Sequence, residues 1–265
     1  MHFPFRCPVC HAETAVEYAD TGIHAHRCRC GLPYAVYLRQ HKFETLFDFG
    51  TRALSDGYAR EAAANFASAL ERCFEFYLRA AVLERGGGPS PEWVQALDAT
   101  WKQVDRQSER QLGAFALLYL TRQGQPPDFL TPQALGSDFR NRVVHRGYIP
   151  SREEALGYAE GVFRIIERVL AELGSASVYA QREQEDRYAA HRAGLPPEVT
   201  PVFLDLPGVF RAWRFAGGPG LGLGGSTQAS PGPQAPRNDA RSFQARLNDT
   251  DIGQLFAKQP LPEKA

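Results

Sequence analysis

The sequence predicts a mainly α-helical chain: a bundle of four to five helices, preceded by a small metal-stapled β segment and followed by a largely disordered tail. Three observations predict it. Four of the five cysteines fall within the first 30 residues. Apolar residues recur at steps of three and four from about residue 58 to about residue 193, the spacing of one helix face. From residue 216 onward glycine, proline, serine and glutamine replace that pattern, a composition that cannot build a core. The chain therefore divides into residues 1–41, a helical region over 42–194, an apolar docking segment over 195–215, and a Gly/Pro-rich linker and tail over 216–265.

The first segment is read from its cysteines. Cys7-Pro8-Val9-Cys10 is separated by seventeen residues from Cys28-Arg29-Cys30-Gly31. Four thiolates in two close pairs suit tetrahedral zinc, and each pair can bind from one tight turn, where Pro8 and Gly31 fit. A segment of about 40 residues is too small to fold on its own core, so a metal would supply the missing stability. The pattern looks like a zinc ribbon, with Cys7, Cys10, Cys28 and Cys30 closing a structural Zn2+ site that has no open position. His24 and His26 stand near enough to substitute as ligands. The alternation through Ile23-His24-Ala25-His26-Arg27-Cys28 instead puts both imidazoles on one strand face. The ribbon's Arg27, Arg29 and Arg39, with His24 and His26, could meet phosphates, or the ribbon is purely structural.

The helices follow in order. Ala62, Phe66, Leu70, Phe74, Tyr77 and Ala81 share one face of a helix over 58–85, which Gly86-Gly87-Gly88-Pro89 ends. Cys73 on that helix reads as a buried structural thiol. Ser90 caps the next helix, with Pro91 at its first position and Trp93, Leu97, Trp101 and Val104 along it. A further helix spans 110–122. Thr131-Pro132 opens another, carrying Leu135, Phe139 and Val143 until Gly147 stops it. Ser151-Arg152-Glu153-Glu154 has the form of a capping box. It starts a helix with an apolar stripe from Leu156 to Leu170 and a stop at Gly174. Residues 176–193 extend the bundle with a charged helix.

Composition excludes several functions. Lys+Arg and Asp+Glu both number 30, a formal net charge of zero, so the chain is no histone-like binder working by bulk charge. No run of about 18 uncharged apolar residues crosses a membrane. The N-terminus lacks an apolar signal core, so a cytoplasmic location is expected, where clustered cysteines bind metal rather than form disulfides. No Walker loop, Gly-x-Ser-x-Gly elbow or His-Glu-x-x-His motif occurs.

The densest chemistry lies in Phe139-Arg140-Asn141-Arg142-Val143-Val144-His145-Arg146-Gly147-Tyr148. Arginine forks match phosphate oxygens, and histidine moves protons near neutrality. The same residues also fit a solvated helix end whose cations complement the dipole. Arg140-Asn141-x-x-x-His145 followed by Gly147 resembles the R-x4-6-H signature of HEPN domains, four- to five-helix bundles in which the motif lies before the last core helix. The segment from Tyr58 to Glu71 also resembles the family's early helix, and the likeness covers about residues 42–175. The resemblance implies a metal-independent endoribonuclease, often a toxin or antiviral defence effector. The ribose 2′-OH would attack the adjacent phosphorus to leave a 2′,3′-cyclic phosphate. Arg140, Asn141 and His145 would be catalytic, with His145 as general acid or base, Arg140 stabilising phosphoryl charge and Asn141 orienting the ring. Arg142, Arg146 and Tyr148 would bind RNA. Arg140 and His145 lie about 140° apart around an ideal helix, so they share a cleft only if the helix end unwinds or the cleft is wide. The resemblance implies another solution, since HEPN ribonucleases commonly set two such motifs across a two-fold interface, and with it a homodimer. Glu71 could reach that cleft, or it is a plain exposed glutamate. The alternative function is a non-catalytic HEPN-like adaptor that binds nucleotides or dimerises.

The docking segment Val202–Phe215 is too apolar for a free linker, and Pro207-Gly208 reads as a turn between two extended pieces. Residues 216–240 read as disordered. Phe243, Leu247, Ile252, Leu255 and Phe256 form an apolar cluster suited to folding onto a protein partner or onto the chain itself.

Overall fold

The structure is a computed structural model, and it describes residues 2–17, 25–204, 208–210 and 243. The expectations for His24, for residues 216–240 and for Leu247, Ile252, Leu255 and Phe256 fall outside these residues. The described chain is mainly helical and forms two compact units, one of residues 1–40 with 184–206, the other of 41–183 with 207–265.

In the smaller unit, β1 (His2–Arg6) pairs antiparallel with β2 (Glu13–Glu17), Phe5 opposite Thr14. A second sheet holds β3 (Ala25–Arg27), β4 (Pro33–Leu38) and β5 (Thr200–Leu204) in that order. β3 and β4 are antiparallel; β4 and β5 are parallel, in register from Tyr34↔Thr200 to Leu38↔Leu204. Phe5, Cys7, Val16, Cys28 and Tyr34 form the unit's core, with Val202 and Leu204 against it. Phe5 stacks on Tyr34 at 4.6 Å and Tyr37 on Phe203 at 5.1 Å. The first half of the docking segment is thus a sheet strand. Residues from Gln184 onward in the last helix join the same unit. The Tyr188 hydroxyl donates to the Leu38 carbonyl at 2.6 Å, and Tyr37 Oη lies 3.0 Å from His191 Nδ1.

The larger unit is the bundle. It contains α1 (Lys42–Ser55), α2 (Ala59–Arg85), α3 (Pro91–Trp101), α4 (Ser108–Gln123), α5 (Pro132–Leu135), α6 (Ser137–His145), α7 (Arg152–Leu173) and the first turns of α8 (Ser177–Ala193). The caps behave as their residue types require. Ser90 Oγ accepts from the Trp93 N–H, and Thr131 Oγ1 accepts from the Ala134 N–H at 3.1 Å. At α7, Ser151 Oγ accepts from the Glu154 N–H at 3.1 Å while Glu154 Oε2 accepts from the Ser151 N–H at 2.8 Å, closing the capping box. The apolar stripes meet in one core: Phe43 and Phe47 from α1, Phe66, Phe74 and Tyr77 from α2, Phe115 and Tyr119 from α4, and Phe163, Ile166 and Val169 from α7. Each such side chain contributes about 1.5–3 kcal/mol on burial.

Two elements differ from their sequence reading. The helix expected through Val104 ends at Trp101, with Val104 in the turn beyond it. The helix expected from Thr131 to Gly147 breaks at Gly136 into α5 and α6. Gly136 adopts φ 59°, and a Cβ there would stand 2.8 Å from Tyr158 Cδ2. The apolar spacing of Leu135, Phe139 and Val143 runs unbroken across a backbone that is not.

A charged cluster ties three helices together. Arg79 of α2 forms a fork to both carboxylate oxygens of Glu183 on α8 and donates to Asp98 Oδ1 of α3 at 2.8 Å. The Glu183 side chain is 5% exposed. Removing one partner of a buried pair leaves the other charge uncompensated, which typically costs about 3–5 kcal/mol. Arg79→Ala is expected to lose stability on that scale in urea unfolding of the full chain, with Glu183→Ala close behind.

The entry to α1 carries a pH signature. His41 precedes the helix, its N–H donates to Glu44 Oε2 at 2.7 Å, and its ring lies 4.5 Å from that of Phe76. Burial pushes the imidazole down to about 4, against the opposing pull of the Glu183 carboxylate. The folded chain keeps this ring neutral while the unfolded chain takes up a proton below about 6.5. Its contribution to stability is therefore complete above that value and is lost as the pH falls toward 4. Urea unfolding at pH 7 and pH 5 is expected to show a smaller drop for His41→Gln than for the parent.

Candidate functional site

Two groups of side chains carry chemistry, one in each unit. In the smaller unit the turn after β1 holds Cys7 and Cys10, and the turn after β3 holds Cys28 and Cys30. The Cys7 N–H donates to the Ala12 carbonyl and the Cys28 N–H to the Leu32 carbonyl, both at 2.9 Å, so each turn is fixed by its own backbone. Gly31 takes φ 90°, a conformation open to glycine at little cost. The four Sγ atoms all lie within 4.8 Å of one another. Cys7 and Cys30 sulfurs are 3.8 Å apart, and those of Cys10 and Cys28 are 3.5 Å apart. Metal–sulfur bonds of about 2.3 Å in a tetrahedron require sulfurs about 3.8 Å apart, so the four residues fit a metal ion.

Their electrostatics point the same way. Backbone N–H groups of Cys10 and Val9, with the neighbouring thiols, hold Cys7 down at about 6. Cys28 is pushed up to about 12: the Cys30 N–H pulls it down, but burial and the other three sulfurs outweigh that pull. Four sulfurs this close cannot all carry charge unless a cation sits among them. His26, the alternative ligand that falls within the described residues, stacks 5.5 Å from Tyr34 and is not among the clustered ligands.

In the larger unit, α6 positions the basic segment. Arg140 turns toward α2 and α4. Its Nη2 donates to Glu71 Oε1 at 2.6 Å and to Ser108 Oγ at 2.5 Å, and its Nη1 donates to Asn141 Oδ1 at 3.2 Å. Ser108 in turn donates to Glu71 Oε1 at 2.5 Å. Tyr158 lies beside this network. Burial raises its hydroxyl well above the ordinary tyrosine range, the Arg140 and Glu71 charges acting on it in opposite directions.

The other expected residues go elsewhere. Arg142 lies 4.3 Å from the Tyr148 ring and 5.9 Å from that of Phe139. Tyr148 Oη donates to Glu154 Oε1 at 2.8 Å. His145 and Arg146 are exposed, and Val144 and Ile149 beside them are exposed apolar residues, Ile149 at 78%. Among the described residues no hydrogen bond or ion pair joins His145 to the Arg140 network. One chain thus brings together Arg140, Asn141, Glu71 and Ser108, and a separate exposed end carries His145.

Glu71 is the network's centre, accepting from Arg140 and Ser108. Its position off the apolar stripe of α2 was the available signal. Ser108 had none, because nothing in its spacing ties the start of α4 to α2. Cys73 is buried in the core, and burial raises its thiol, as its helical position implied.

No protein-family model, no curated protein and no solved structure matches this chain. Among the described residues no helix is long and apolar enough to cross a membrane.

Proposed function

We propose that the chain is a HEPN-type endoribonuclease carrying a structural zinc ribbon. The observation that carries this reading is the placement of Arg140, Asn141 and His145 on one short helix directly before the Ser151-capped helix of a helical bundle. In the proposed reaction the 2′-oxygen attacks the adjacent phosphorus, the bond from phosphorus to the 5′-oxygen breaks, and a 2′,3′-cyclic phosphate and a 5′-hydroxyl result. One imidazole takes the 2′-OH proton and another protonates the leaving 5′-oxygen. Arg140 stabilises charge on the phosphoryl oxygens. Two imidazoles and a cleft containing both Arg140 and His145 call for two copies of the chain, so the active form is a homodimer that pairs around residues 140–150. The exposed Val144 and Ile149 beside His145 support that surface. Arg142, Arg146 and Tyr148 contact RNA at its edge, and the cell compartment is the cytoplasm. A role as toxin or antiviral defence effector belongs to the same reading.

Zinc is the proposed metal because four thiolates close a tetrahedral shell with no open position. It holds the ribbon together and takes no part in cleavage.

A second reading has its own observation. Arg140 already serves Glu71, Ser108 and Asn141, which is what a purely structural arginine does. On that reading the bundle is a non-catalytic adaptor that binds nucleotides or dimerises. Incubating the purified chain with RNA in buffer without added magnesium or manganese, beside His145→Ala, separates the two. Cleavage that depends on His145 supports the nuclease; nucleotide binding without cleavage supports the adaptor.

A further inference from the structure

Two phenylalanines from beyond the last helix enter the bundle core at one place. Phe210 lies 4.8 Å from the Phe47 ring and 5.2 Å from that of Phe163. Phe243 lies 5.3 Å from Phe47 and 5.9 Å from both Phe66 and Phe163. Both are buried, Phe243 completely. They are 33 positions apart in sequence, and the residues between them include the glycine and proline run.

Each arrives with the same polar contact. The Val209 N–H donates to Asp48 Oδ1 on α1 at 3.0 Å, and the Phe243 N–H donates to Glu160 Oε2 on α7 at 2.8 Å. A carboxylate on a rigid helix thus captures one backbone N–H of each incoming segment, a charge-assisted bond that needs no particular side chain. The neighbouring aromatic rings then select phenylalanine by shape and burial. Gly208 lies so close to Asp48 that a Cβ would collide with the carboxylate, so the backbone itself is gripped. Main-chain hydrogen bonds for affinity with a side-chain pocket for specificity are how proteins hold short peptides, and a ligand carried on the same chain meets its site at a raised effective concentration.

We propose that the niche formed by Phe47, Phe66, Phe163 and Glu160 is a peptide-binding site. Its ligand is the chain's own Phe243 segment, held as a releasable tethered anchor. Phe210 fills the neighbouring position from the adjacent stretch of chain. Release of Phe243 frees the niche.

The test uses the full-length protein with a protease recognition sequence inserted between Gly225 and Ser226. After cleavage, the fragment beginning at Ser226 is expected to co-elute with the bundle at micromolar concentration. A synthetic peptide of residues 238–250 in excess is expected to displace it, and the same peptide with Phe243→Ala to compete about tenfold or more weakly, the loss of one buried aromatic side chain. Glu160→Gln is expected to weaken retention while leaving the helical spectrum unchanged. A cut fragment that separates at once overturns the proposal, as does one that no excess of peptide displaces. Equal competition by the Phe243→Ala peptide overturns it too. Because the peptide arms use the parent bundle, the outcome does not depend on the stability of a substituted protein.

Discussion

Replacing His145 by alanine is expected to slow RNA cleavage by about 10²–10⁴-fold, the usual contribution of a positioned acid or base. The structure makes this a clean substitution. His145 is exposed and its side chain, among the described residues, makes no hydrogen bond, so its removal is expected to change stability by no more than about 0.5 kcal/mol. A loss of rate without a loss of fold can then be assigned to chemistry. Arg140 offers no such separation. Its guanidinium holds Glu71, Ser108 and Asn141 at once, and Arg140→Lys would forfeit the fork along with any contact to phosphate. Products from the parent should end in cyclic phosphate, and DNA, which lacks the 2′-OH, should survive. The dimer enters the same assay. Excess His145→Ala protein mixed with the parent is expected to lower activity by more than dilution, because a mixed pair holds only one of the two imidazoles the cleft needs. A His145→Ala protein that cuts as fast as its parent would sink the site. A parent inactive on every RNA, yet binding nucleotides, would favour the adaptor.

The part of this arrangement legible in the sequence was what local spacing encodes. Ser151 and Glu154 announce their capping box three residues apart, and the alternation of Phe66, Leu70, Phe74 and Tyr77 places α2 in the core before any contact is known. The cysteine pairs are local in the same sense, since each sits in one tight turn. What stayed illegible depends on residues far apart. Nothing in Thr200–Leu204 says that its partner is β4, some 160 positions earlier, rather than another strand. Ser108 reaches Glu71 across 37 positions, and Arg140 reaches it across 69. The break at Gly136 is local, yet the space there is limited by the ring of Tyr158 on the next long helix, which the 3.6-residue period cannot register. The site was legible to the same extent: the residue types on α6 could be read, but not the direction in which Arg140 turns.

Removing the metal should produce the largest structural effect, and the fold says where it will appear. Each chain is expected to hold one zinc ion through Cys7, Cys10, Cys28 and Cys30. Structural zinc in small domains contributes apparent folding energies of about 10–16 kcal/mol at neutral pH, far more than the few aromatic contacts of this unit could replace. Chelation should therefore release amide protection in β1 to β4. It should also release protection far along the chain, in β5 and from Gln184 to His191, because β5 hangs on β4 through its ladder and α8 is held by the Tyr188 and His191 contacts to Leu38 and Tyr37. The bundle from α1 to α7 has its own apolar core and should keep its protection. Hydrogen exchange read peptide by peptide, with zinc measured on the same sample, checks both halves. Cys28→Ser should reproduce the chelated pattern in the presence of zinc, since it removes a buried ligand and leaves three thiolates around the ion. Retention of a full equivalent of zinc and full protection by that variant would defeat the four-cysteine site. Loss of protection confined to residues before 40, with β5 unaffected, would leave the metal site standing and refute the parallel pairing of β5 with β4.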